Sequence, residues 1–240
     1  MKTSILSMGF VVLAILAASQ PSFAQAYGQA YQSFINTLIS NKIWEASMKN
    51  YTKDNRGSSG GSTSSSSRSS QATTYEVPAY RRYPAVQFQS TGTRLILQEY
   101  VASVTGTPQD KAEAKELVLG ILRKYETEAA AKAHPNDLAL AIVSYVGLNS
   151  LVYNGKTEEL SIPFEQNLGL RDVVAKNATD SGIFANYTDR KKQEIYEFLV
   201  MFGGLTYHLC EKARKENNAE ELKNCKLAAA QNLKLLGVNP

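Results

Sequence analysis

Histidine and cysteine are scarce in this chain, two of each in 240 residues, and tryptophan occurs once. Metal centres and thiol relays are built from those side chains, so a multi-ligand zinc site has almost no material to draw on. His208 and Cys210 stand two positions apart, a spacing that on a helix points the side chains about 200° from one another. His134 is distant in sequence, which leaves any metal set incomplete. Also missing are the His-Glu-x-x-His zinc helix, the nucleophile elbow of acyl hydrolases and the glycine loop that cradles phosphate. The sequence therefore predicts no metal, no cofactor and no catalytic residue that can be named. His134, before Pro135, reads as a surface or capping residue, and His208, beside Leu209, as one packed against a helix hairpin. The acidic pairs Glu158-Glu159 and Glu220-Glu221 suit helix starts, where they complement the macrodipole.

A strong charge of one sign is lacking too: 26 Lys and Arg face 22 Asp and Glu. Six of the basic residues (Lys49, Lys53, Arg56, Arg68, Arg81, Arg82) fall between Lys49 and Arg82 with only Asp54 and Glu76 against them. The excess thus lies outside the part expected to fold, which argues against nucleic acid as a partner.

The only long apolar run is at the start. Lys2 precedes an apolar stretch from Met8 to Ala18, and Ser22-Phe23-Ala24 offers small residues where a signal peptidase reads. This predicts a secretory signal peptide over residues 1–24, cut after Ala24. As a membrane anchor the run is well short of the roughly 20 residues that span a bilayer, and Gln20-Pro21 closes it. No cysteine near the cut offers a lipid attachment point, and no later stretch is long and apolar enough to span. The expected location is periplasmic or secreted. Without Lys2 the chain carries 25 basic and 22 acidic residues, a net charge of +3.

What is present divides the remainder. Residues 25–52 place Tyr27, Tyr31, Phe34 and Leu38, then Ile43 and Trp44, at helical spacing, predicting an amphipathic helix whose stripe needs a covering surface. Residues 53–73 are rich in serine and glycine, twelve of fifteen positions between 56 and 70, and cannot bury enough apolar surface to order. Residues 74–90 carry two prolines, four aromatics and two arginines without a period, predicting an extended arm. That arm reads either as a recognition element or as a strip lying in a groove of its own domain; Tyr80, Arg81, Arg82 and Tyr83, with Trp44, are the candidate partner contacts.

Residues 91–240 read as a helical domain, an all-α antiparallel bundle of five or six helices. A short helix covers Thr93 to Val104 and stops at Gly106. Thr107 caps the next, with Pro108 at its first position, running to about Ala133. Asn136 is the expected cap of a third that places Leu138, Ile142, Tyr145, Leu148 and Val152 on one stripe before Asn154-Gly155. A fourth begins near Ser161 and is interrupted around Gly169. Two more follow, separated by Asn217-Asn218, with Asn218 and Glu221 at capping-box spacing.

Helices joined by so short a turn lie antiparallel. Cys210 and Cys225 sit seven to eight residues either side of it, hence at equal height along the pair. A disulfide between them is the favoured reading, and Gly203-Gly204 would help those two helices approach. A Cys-x-x-Cys redox pair at a helix start would look different, and an unpaired or intermolecular arrangement is the remaining alternative.

The stretches "HPNDLALAIVSYVGLNSLVYNG", "DRKKQEIYEFLVMFGGLTY" and "LKLLGVNP" resemble an uncharacterised family of exported bacterial proteins, a domain of unknown function, with Asn136, Asp137, Tyr153, Asn154, Gly155, Gly237 and Pro240 as the matching residues. Val238-Asn239 stands where an Asp is commoner. The resemblance covers roughly the last 150 residues and implies an all-helical fold and no known activity. Taken together, the expectation is a non-catalytic binding or scaffold protein of the bacterial cell envelope, its partner an envelope protein or polymer, with self-association through the N-terminal helix as a further route. An envelope hydrolase whose site is assembled from distant residues is the alternative.

Overall fold

The computed structural model describes residues 83–157 and 164–238. The expected leader, amphipathic helix, serine tether and first half of the arm lie outside the described residues, as does the expected helix start near Ser161.

Among the described residues, six α-helices follow a 3-10 turn, Pro84–Val86: α1 (Leu97–Ser103), α2 (Pro108–Ala131), α3 (Leu138–Tyr153), α4 (Phe164–Asp180), α5 (Asp189–Lys215) and α6 (Ala219–Leu235). No strand occurs among the described residues; the only extended pairing is an isolated bridge between Gln87 and Asp137. The fold is all-α. α3 is the central element, apolar on every side and buried from Leu138 through Val146, packed against α4, α5 and α6. α5 reaches across to α2, and α2 carries α1.

The termini of the helices follow their sequence signals. Thr107 and Asp110 form a reciprocal capping box on α2, Thr188 caps α5 through the Lys191 amide, and Asn218 caps α6 through the Glu221 amide. Several ends share one device: Gly155, Asn217 and Gly237 take positive φ (70°, 53° and 71°), and the next amide turns back to the carbonyl five residues before it. Ala133 does the same at φ 60° without the freedom of glycine, so α2 ends at Ala131 and the chain turns at once into His134.

Four local readings are corrected. The cap of α3 is Asp137, whose side chain accepts from the Leu140 amide at 2.9 Å, while Asn136 takes a left-handed φ of 53° in the preceding turn. α4 runs unbroken through Gly169; a single glycine costs a helix only about 1 kcal/mol, and the packing of Val174, Ala175 and Ala178 into the core offsets it. α1 starts at Leu97 because the residues before it are held by α5: Gln193 accepts from the Thr91 amide (2.8 Å) and donates to the Thr93 carbonyl (2.7 Å), and Glu197 accepts from the amides of Leu95 (2.8 Å) and Ile96 (3.2 Å). The two glycines of α5 serve contacts other than the hairpin. A Cβ on Gly203 would stand 3.3 Å from the Tyr145 Cα of α3, and one on Gly204 would stand 2.3 Å from Ile121 Cγ2 of α2.

Candidate functional site

Asp137 is fully buried, and the geometry around it explains why a charge is tolerated there. One carboxylate oxygen caps α3. The other accepts from Arg171 of α4 through both Nε (2.8 Å) and Nη2, and lies 3.2 Å from His134 Nδ1. Arg171 is itself buried; its Nη1 donates to Asp172 at 2.7 Å, and its guanidinium carbon lies 5.5 Å from the centre of the Tyr83 ring. A carboxylate whose two oxygens are taken by a helix terminus and a fork of guanidinium donors is an anchor between elements, poorly disposed to carry protons to a substrate. The sequence reading of His134 as a surface or capping residue is corrected here: the ring is buried against that anchor, and the cap of α3 is Asp137.

Beside the anchor, Arg94, Glu126, Pro135, Asn136 and Tyr196 line a polar cleft of about 300 Å3. Arg94 donates to both oxygens of Glu126, at 2.5 and 2.7 Å, and this hydrogen bonding leads the effects that raise the pKa of the guanidinium. Tyr196 stacks edge-on with Phe88 (5.1 Å between centroids) and Tyr125 (5.8 Å). Its buried hydroxyl has no hydrogen-bond partner, and burial pushes its pKa far above the ordinary tyrosine value, so it stays neutral. Lys192 is likewise buried; desolvation lowers its pKa although Asp189 works against this, and its ammonium donates to the Gln87 carbonyl at 3.2 Å.

At the opposite end of α5, Cys210 and Cys225 are buried between α5 and α6 at disulfide distance, their Cα atoms 5.6 Å apart. His208, expected to pack against this hairpin, points outward instead. Asn232 of α6 donates to Asn149 of α3 (2.8 Å) and Thr206 of α5 (3.1 Å), tying the last helix to both. On the outer side of α6 an apolar groove of about 420 Å3 runs against the end of α3, lined by Tyr153, Leu222, Leu227 and Ala230 together with Lys223 and Lys226. Leu227 and Tyr153, 56% and 37% exposed, are the large hydrophobic side chains left exposed among the described residues, and both belong to this groove.

Of the residues singled out in the sequence, Trp44, Tyr80, Arg81 and Arg82 lie outside the described residues. Tyr83 is half-buried beneath Arg171, and the segment that follows it threads Val86 and Phe88 into the core and hydrogen-bonds the Phe88 amide to the Asn136 carbonyl at 3.3 Å. Sequence reasoning missed Arg171, Glu197 and the groove. Glu197 carried a signal, a carboxylate three and four residues ahead of Val200 and Met201 on a second apolar face of α5; so did Leu227, a leucine off the stripe of Leu222, Cys225, Ala229 and Leu236. Arg171 carried none, because its partner is 34 residues away. No group of three or more His, Cys, Asp or Glu that could hold a metal occurs among the described residues, and none of their helices is long and apolar enough to cross a membrane.

No curated protein and no solved structure matches the chain. A family model does, over residues 2–240, and what it describes is a family of unknown function. An all-helical body with no known activity is what the motifs around Asp137, Gly155 and Gly237 imply, and the chain belongs to that family, DUF6683.

Proposed function

We propose that this chain is a non-catalytic binding or scaffold protein of the bacterial cell envelope, exported by a leader cut after Ala24. The observation that carries the reading is the groove on α6: the most exposed large hydrophobic side chains of the described residues gather on one face, as partner-binding surfaces do. The buried charges support it from the other side, since Asp137 and Glu197 have their oxygens engaged in holding helices and loops together. Export is supported by the leader pattern and by a cysteine pair at bridging distance, an arrangement that persists in oxidising compartments.

The test uses the exported chain, whose N-terminus should read Gln25. Immobilised wild-type chain should retain a defined envelope component, Leu227→Glu should lose it, and Glu126→Gln, which alters only the polar cleft, should keep it. The second reading, an envelope hydrolase, is favoured by the cleft itself, where Tyr196 and the half-exposed Arg94–Glu126 pair converge. Turnover of an envelope polymer that disappears in Glu126→Gln and survives in Leu227→Glu would establish that reading and overturn the first.

A further inference from the structure

The α6 groove is apolar, open and of helical length, and the chain carries a segment of matching character. Ala219 and Ala230, at the two ends of the groove, are eleven residues apart on α6, about 16 Å along the axis. Tyr27 and Leu38, the ends of the regular stripe in residues 25–52, are also eleven residues apart, so as a helix that stripe would run the same length. The groove presents Leu222, Leu227, Ala230 and the Tyr153 ring; the stripe presents Tyr31 and Phe34 between its ends. We propose that the chain's own residues 25–52 dock as an amphipathic helix in the α3/α6 groove, within one molecule. The proposal rests on reading the groove as an interaction surface and adds its resting occupant: a partner would have to displace that helix.

Physical chemistry decides between this occupant and a second copy. Thirty residues separate position 52 from Tyr83, where the described body begins, and fully extended they reach roughly 100 Å. The body has a radius of gyration of about 15 Å, so any point of its surface is within range. A connection of that length holds the segment at an effective concentration on the order of millimolar. A groove of about 420 Å3 with few polar contacts binds weakly, and a weak site fills from a tethered segment long before micromolar second copies compete. Electrostatics does not oppose the contact. Lys226 reaches back beside the end of α3, where a Cβ on Gly155 would lie 3.1 Å from its Nζ. Within residues 25–52 the charged residues are Lys42, Glu45 and Lys49, none on the stripe from Tyr27 to Leu38.

The experiment uses the full exported chain and needs no partner. A benzophenone side chain replaces Leu227, which is exposed and outside the core, and the purified chain is irradiated at low micromolar concentration. The expected product has the mass of one chain, with position 227 joined to a peptide from residues 25–52, and Phe34→Asp removes most of it. Cross-links confined to species of twice the mass, single-chain products that leave out residues 25–52, or no cross-link would each overturn the proposal. Failure here would leave the envelope-capture result standing, and loss of capture would leave the cross-link standing.

Discussion

Asp137 answers three demands with one carboxylate: it ends the orphaned amides of α3, neutralises Arg171 and orients His134. Taking two charges out of water is costly, and the pair is tolerated because nearly every lone pair and donor has a partner. Removing one member should therefore cost more than the pair is worth. Asp137→Asn keeps the cap oxygen and deletes the charge, leaving the buried guanidinium with only the partly exposed Asp172 carboxylate against it; the expected loss is about 3 kcal/mol by urea denaturation. Combining it with Arg171→Met should cost clearly less than the sum of the single changes, since the unpaired charge is then gone. Additive losses would show that the two residues act separately. At this scale the sequence announced a cap at the start of α3 but placed it one residue early, because Asn and Asp are near-equivalent caps and only the left-handed φ of Asn136 selects between them. Tyr83 was legible as an aromatic worth watching; that its ring would lie under Arg171 was not.

The α5/α6 hairpin shows what an element pair adds. Equal distances of Cys210 and Cys225 from the Asn217-Asn218 turn put the sulfurs at one level, and the 5.6 Å between their Cα atoms lies inside the range a disulfide requires. Exported chain denatured without reductant should show no free thiol. Closing a loop across a separation of 15 residues should contribute about 3 kcal/mol, read as the stability lost in Cys210→Ser/Cys225→Ser. The glycines nearly two turns before Cys210 make a different prediction. Ala in place of Gly204 gains helix propensity but drives a Cβ to 2.3 Å from Ile121 Cγ2, a branched side chain with little freedom to yield. Gly204→Ala should destabilise by about 1–3 kcal/mol, and Ile121→Ala introduced alongside it should recover part of that loss in the same denaturation assay. Recovery by shortening a residue of α6 instead would return the glycines to the hairpin. The sequence displayed the glycines without revealing which neighbour they faced, since a helix has several sides and α5 uses them against α2, α3 and α6 at once.

Over the whole molecule, tyrosine links packing to pH. Tyr100 and Tyr207 have pKa values raised by burial to about 12, and burial carries Tyr125 and Tyr196 higher than the ordinary tyrosine value as well. Each is raised in the folded state over the unfolded value of about 10, so the folded chain holds its phenolic protons more tightly. Stability from these groups is fully present below pH 10 and is lost as pH climbs through the folded values. They sit in α1, α2 and α5, so their ionisation should coincide with cooperative loss of helix rather than precede it. Tyrosinate absorbance followed beside circular dichroism from pH 8 to 13 checks this. A smooth titration of all 13 tyrosines with helix content intact would refute the linkage.

The sequence alone determined the helical class, the borders of α2, α5 and α6 to within two residues and the level at which the cysteines meet, because those follow from 3.6-residue periodicity, capping side chains and turn residues within one or two turns of chain. Tertiary structure decided the rest: that Arg171 would find Asp137, that Glu197 and Gln193 would hold the chain ahead of α1, that α4 would run through Gly169, and that Leu227 would be left facing outward beside Tyr153. Each of these joins residues many turns apart, and pairing energy at such range is fixed by which helix faces come together, a choice made by the burial of α3 as a whole and by no local signal.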